Sequence, residues 1–347
     1  MTKNPFASRL KSFKKYLRRN SLDGAVIHDE YNIRALTGVE IDTGVLVVES
    51  RESAPLVLYT DFRYIFYVKR CAPFIEARDV KKLSLLFKRV GYESSISHKQ
   101  FMALEKKFKG VEFVDVSEEL SELRSVKTRT EINAIRAAAR LNAVIWEMAK
   151  AKFTAGMTER DMARIIRTLM IEKGDGEAFP TIVSIGKNAA ECHHCPDDTR
   201  WDGREPVLVD MGVKLCGYAS DMTRNLISEK MSGLYKKVYG IVERAQKKAI
   251  CAARPGLSAK DLDSVARKVI ARSGYAKAFG HSLGHGVGLE IHEAPFASKK
   301  SDAVLKPGMV ITIEPGIYLD GKLGVRIEDL VLITEQGCEI LSIHHEN

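Results

Sequence analysis

No apolar run in the 347 residues approaches the roughly 20 needed to cross a bilayer as a helix. Nor is there a charged start followed by a greasy core of the kind a secretory leader carries, so the expected setting is cytoplasmic, with no membrane partner. Cysteine is sparse. Cys71, Cys192, Cys195, Cys216, Cys251 and Cys338 are scattered through a chain large enough to fold without covalent staples, and they read as reduced thiols. Cys192-His193-His194-Cys195 has the outline of half a zinc site, but no second CxxC or HxxxH follows at zinc-finger distance. Acids are short relative to bases, 45 against 54, for a net charge of +9. That surplus permits polyanion affinity. No basic cluster interleaved with aromatics accompanies it, which argues against nucleic acid as a partner.

What is present suits a soluble globular protein of two domains: 45% apolar and 29% charged residues. Between residues 3 and 19, Lys3, Arg9, Lys11, Lys14, Lys15, Arg18 and Arg19 stand without an acid, while Phe6, Leu10, Phe13 and Leu17 recur at helical spacing. Such a helix fits a membrane surface or a transit peptide. The apolar run Ala25-Val26-Ile27 directly after it favours a helix docked on its own domain. Strand-like runs follow at Gly44–Val48 and Pro55–Tyr59, helical patterns at Lys81–Val90 and Phe101–Lys109, and a short strand at Phe113–Val116. Residues 1–123 are thus expected to form a smaller mixed α/β domain without catalytic residue clusters. A boundary is expected near Ser121–Arg124, with residues 124–347 as the second domain. Thr128 and Glu131 make a capping box for a helix reaching about Phe153, and Thr158 caps another that Gly174 stops.

Histidine numbers only nine, yet His281, His285 and His292 fall within a dozen residues, interleaved with Gly280, Gly284, Gly286 and Gly288. Glycine at that density disfavours helix and lets backbone lie close to something bound. Carboxylates at strand ends make the histidines significant. Val207-Leu208-Val209 ends in Asp210, and Asp221 follows after a turn at Gly217, so the two segments can pair as adjacent strands. In Met309–Glu314, Ile311 and Ile313 alternate with Thr312 and Glu314, and Val325 and Ile327 alternate with Arg326 and Glu328. Gathered in one place, Asp210, Asp221, Glu314 and Glu328 would repel fiercely, and two divalent cations would cancel their charge. Four oxygen donors with the imidazole of His285 suit manganese, cobalt or iron better than a thiolate-bound zinc.

Gly280–Pro295, with Asp210, Asp221, Ile313-Glu314-Pro315-Gly316 and Arg326-Ile327-Glu328, resembles the pita-bread metallopeptidases, in the branch of Xaa-Pro aminopeptidases (aminopeptidase P) and prolidases. Arg34–Gly38 and Thr60–Tyr64 look like that branch's creatinase/prolidase-type N-terminal domain. The resemblance implies an α+β fold, a C-terminal pita-bread catalytic domain and a homodimer whose N-terminal domain helps close the site. It implies two divalent ions, manganese first and cobalt, iron or zinc as alternatives. Asp210 would hold one ion, His285 and Glu314 the other, and Asp221 and Glu328 would bridge them. A metal-bridging hydroxide would attack the Xaa-Pro bond at the N-terminus of proline-containing peptides, with Glu314 shuttling the proton. His193 and His292 would contact the scissile carbonyl, His281 the proline ring, and Tyr318 and Arg326 would line or brace that pocket. Many prolidases carry an arginine at or after the position of Phe296, whereas Lys299 and Lys300 are the nearest cations here. That departure favours aminopeptidase P over an Xaa-Pro dipeptidase.

Two rivals of other classes stand beside this expectation. Gly280-His281-Ser282-Leu283-Gly284 spells the nucleophile elbow of serine hydrolases, but it lacks a buried strand before it and a helix after it. A non-catalytic pita-bread binding protein would find support only in the net positive charge.

Overall fold

The computed structural model describes residues 6–227 and 231–342, so Lys3 of the basic segment lies outside the described residues. The chain divides into two compact units, Met1–Arg124 and Ser125–Asn347.

The first unit follows the order α1 (Ala7–Arg19), β1 (Gly24–Ile27), α2 (Glu30–Thr37), β2 (Val45–Glu49), β3 (Leu56–Thr60), α3 (Phe62–Cys71), β4 (Ile75–Asp79), β5 (Arg89–Tyr92), α4 (His98–Lys107), β6 (Glu112–Asp115) and α5 (Ser117–Ser125). Its six-stranded sheet has the order β4-β3-β2-β1-β5-β6. The stripe on α1 does what a docked helix requires. Phe13 and Leu17 are fully buried, and Lys14 Nζ donates to the carbonyls of Arg51 and Ala54 at 3.1 and 2.8 Å. Lys81–Val90 is not a helix. After a single helical turn at Val80–Lys82 the chain extends into β5, which pairs in parallel with β1 and β6. Tertiary pairing overrides the apolar spacing, and Leu86, part of the apparent stripe, is 99% exposed.

The second unit is built from two like halves. In the first, α6 (Arg129–Lys150) and α7 (Glu159–Lys173) pack on β8 (Ile182–Ile185), β9 (Val207–Met211) and β12 (Met222–Leu226); β7 (Gly176–Glu177), β10 (Val213–Leu215) and β11 (Tyr218–Ala219) form a small flanking sheet. The capping boxes at Thr128/Glu131 and Thr158/Asp161 start the two helices. In the second half, α8 (Gly233–Ala252) and α9 (Ala259–Arg272) pack against β13 (Gly284–Gly286), β14 (Glu293–Ala297), β15 (Val310–Ile313), β18 (Asp329–Ile333) and β19 (Cys338–Ile340), with the hairpin β16 (Gly316–Leu319)–β17 (Leu323–Arg326) beside them. Each half has its own apolar core.

The glycines around the histidines serve the sheet. β13 runs between β14 and β15, and a Cβ on Gly284 would strike the Thr312 carbonyl, one on Gly286 the Ala294 carbonyl. What the backbone lies close to is its neighbouring strands. Because Ser282 leads into a strand rather than a helix, the nucleophile-elbow geometry is absent.

Candidate active site

Strand ends deliver the acids. β9 and β12 pair antiparallel, placing Asp210 opposite Thr223 and bringing Asp221, just ahead of β12, to the same edge. His285 sits in the middle of β13, Glu314 directly follows β15, and Glu328 lies between β17 and β18. All five line one cavity of about 480 Å³, together with His193, His281, His292, Tyr318 and Arg326. Two of the five come from the first half of the unit and three from the second. Atoms of Asp221, His285 and Glu328 lie within 4.8 Å of one another.

Burial and mutual repulsion dominate the electrostatics of these side chains. Burial pushes Asp221 and Glu328 well above the carboxylate range, and mutual repulsion with Glu314 and Asp210 pushes them further. Burial likewise raises Glu314 to about 8, although Arg326 pulls the other way. Asp210 receives Arg326 Nη2 on Oδ2 at 2.7 Å, while its Oδ1 is buried without a hydrogen-bond partner. His285 is held to about 4 by burial and so stays neutral near pH 7. Its Nδ1 is 3.1 Å from the Gly286 carbonyl, which fixes the proton there. The lone pair on Nε2 then faces Asp221 Oδ2 at 3.6 Å and Glu314 Oε1 at 3.4 Å, acceptor against acceptor. A proton on either acid or a cation between the groups reconciles that arrangement, and the raised carboxyls show the cost of leaving it bare of both.

A second string of bonds runs alongside. Arg326 Nη1 donates to Tyr318 Oη at 2.8 Å, and Tyr318 Oη meets His281 Nε2 at 3.0 Å. His281 Nδ1 lies 2.7 Å from the Ser282 carbonyl, so Nδ1 carries the proton and Nε2 accepts from tyrosine. Burial holds His281 at about 4, hence neutral. The Tyr318 hydroxyl is pushed up by burial. Burial works against the charge on Arg326, yet Tyr318, Asp210, Glu314 and Glu328 outweigh it and hold the guanidinium well above its usual value. The rings of His285 and His292 stand 4.3 Å apart, edge to face.

Sequence reasoning missed two threonines. Thr223 Oγ1 donates to Glu328 at 2.7 Å and accepts from Arg326 Nε at 2.9 Å; Thr312 Oγ1 accepts the His285 N–H at 3.0 Å and donates to Glu314 at 3.2 Å. Both sit two positions from an acid, and Thr312 shares with Glu314 the strand face that alternation had already marked.

Residues 133–335 match the model of metallopeptidase family M24, and residues 9–126 that of the creatinase/prolidase N-terminal domain. An Xaa-Pro dipeptidase of Pyrococcus horikoshii is 36% identical over 341 residues, covering 96% of each chain. The crystal structure of the prolidase from Pyrococcus horikoshii OT3 superposes with a TM-score of 0.92 at 34% identity, over 97% of this chain and 99% of that one. An X-Pro aminopeptidase from Thermotoga maritima gives a TM-score of 0.87 at 32% identity, over 96% and 99%.

Proposed function

Because this chain belongs to metallopeptidase family M24 and carries a creatinase/prolidase N-terminal domain, we propose that it is a two-metal Xaa-Pro dipeptidase. The preference for aminopeptidase P that Phe296 suggested gives way here, because two relatives matched over nearly their whole length carry the name Xaa-Pro dipeptidase. The observation that carries the chemistry is the convergence of four acids and one neutral imidazole on a single cavity.

Members of this family bind two divalent ions, and the donors here fit such a pair. Asp210 would hold one, His285 and Glu314 the other, with Asp221 and Glu328 shared; the oxygen-rich set suits manganese. Bound there, the ions would supply an acidified water and a polarised carbonyl. Glu314 would take the proton of the attacking water and pass it to the leaving nitrogen. His193 and His292, both on the cavity wall, would meet the carbonyl oxygen as it gains charge. His281, its nitrogens engaged by Ser282 and Tyr318, would face the proline ring. Arg326 braces both ends by gripping Asp210 and Tyr318. An Xaa-Pro bond lacks the N–H by which an extended substrate is usually gripped. A shaped pocket with activated water does not require it.

One observation keeps aminopeptidase P as the second reading. Among the described residues Arg326 is the only lysine or arginine lining the cavity, and Asp210, Tyr318 and Thr223 already occupy it. No free cation of the lining is left for a dipeptide carboxylate. Xaa-Pro dipeptides and Xaa-Pro-Yaa tripeptides should be assayed side by side with manganese. The dipeptides are expected to lead in kcat/KM by about tenfold or more, about 1.4 kcal/mol of transition-state preference. A tripeptide preference would transfer the chain to aminopeptidase P. A cytoplasmic homodimer completes the proposal, and sedimentation velocity tests the assembly.

A further inference from the structure

One buried ionisable pair takes no part in the chemistry above. Glu159, the first residue of α7, is completely buried, and its carboxylate collects four donors from one loop. Oε1 accepts from the Ile185 N–H at 2.7 Å and Asn188 Nδ2 at 3.0 Å. Oε2 accepts from His194 Nε2 at 2.7 Å and the Asp197 N–H at 3.0 Å. With Asp197, the pair has the outline of another metal site. Its bonding says otherwise: the donors all converge on Glu159, and a carboxylate ringed by N–H groups is satisfied as an anion, with no lone pair turned toward a cation.

We propose that Glu159 and His194 are positioning residues that aim His193 at the reacting carbonyl, a role that presupposes His193 as a catalytic group. The loop leaves β8 at Ile185 and returns at Asp197, displaying Cys192, His193 and Cys195 along the cavity. A single carboxylate fastens both ends, and His194 pins the chain beside His193. On the other side, the Cys192 carbonyl is 3.4 Å from Arg326 Nη1. Strand β17 backs the same loop so closely that a Cβ on Gly324 would run into the Ala189 carbonyl. His193 itself is exposed, and among the described residues no hydrogen bond holds its ring. Its direction is therefore set by backbone, bracketed between the ties at positions 192 and 194.

The test is a double-mutant cycle on the metal-loaded protein, read as kcat/KM on an Xaa-Pro dipeptide. His194→Ala is expected to lower it about tenfold or more, as misplacement of a reacting group does, with metal content unchanged. His194→Gln, which keeps an N–H donor toward Glu159, should recover most of the loss. In a His193→Ala background, His194→Ala should cost nothing further, because nothing remains to be aimed. Equal losses in both backgrounds, or no loss in the parent, would overturn the positioning role while leaving His193 catalytic. Full turnover by His193→Ala alone would instead remove the catalytic role of His193, and the positioning role with it. Should His194→Ala fail to fold, His194→Asn, whose amide is too short to reach Glu159, takes its place.

Discussion

The Nε2 lone pair of His285 points at two carboxylates, and that misfit makes each acid around it costly to alter. Asp221→Asn or Glu328→Gln should strip metal from the protein and lower kcat by at least about a hundredfold, since even outer partners of a metal site can cost that much. Metal analysis beside a turnover assay checks it; either variant with full occupancy and full rate would contradict the ligand assignment. Tyr318→Phe removes the hydroxyl that joins Arg326 to His281 and leaves a buried nitrogen unsatisfied. The expected result is a fall of about tenfold in kcat/KM on Xaa-Pro substrates with metal retained, the penalty of one orphaned acceptor. The acids were legible residue by residue, because alternation along Met309–Glu314 and Val325–Glu328 assigns each side chain a face. Thr312 lay on one of those faces too, and Thr223 two positions after Asp221. Nothing in a lone threonine distinguishes a bridging hydroxyl from a solvated one, so only the fold reveals them.

Among the elements, β13 is constrained on both sides. Adding a methyl at Gly284 or Gly286 drives it into a carbonyl of a flanking strand. Gly284→Ala and Gly286→Ala should each destabilise by about 1–3 kcal/mol, the usual cost of overpacking. For a unit of this size that lowers Tm by about 2–4 °C per kcal/mol, readable by calorimetry. A melting point equal to the parent would mean that the strand shifts freely. Helices with caps were the most legible elements: Thr128 and Thr158 announce α6 and α7 through side-chain chemistry that is purely local. Strand β5 was not, because its identity comes from pairing with β1 and β6, partners remote in sequence. The glycine-rich stretch was legible as non-helical, while the reason for its glycines depended on strands not yet located.

At the scale of the molecule, the buried acids impose a sign on stability. An acid whose folded pKa is raised binds its proton more tightly in the fold, so its stabilisation is complete at low pH and is lost as pH rises through the folded value. For Glu314 that value is about 8. Neutral buried histidines pull the other way: His28, His281 and His285, lowered to about 4, destabilise as pH falls below about 6.5. EDTA-treated protein should therefore lose melting temperature between about pH 7 and about pH 8, and added manganese should restore more of it at the upper end. A melting point that climbs across that interval without metal would refute the repulsive cluster. The two-unit plan and the family were legible from motifs. The division of the catalytic unit into two cores, each with a helix pair on a sheet, was not, since no phrase of sequence marks it. That division has a mechanical corollary. Asp210 and Asp221 belong to one half-core, and His285, Glu314 and Glu328 to the other. The paired ions would then be a rivet through two plates, added to a seam already tied by the Arg326–Asp210 and Arg224–Asp329 pairs, by Thr223 to Glu328 and Arg326, and by Lys127–Glu293. With the rivet drawn, the seam should loosen first, so that amides of Thr223 and Arg326 exchange with solvent faster than in the loaded protein while both cores hold.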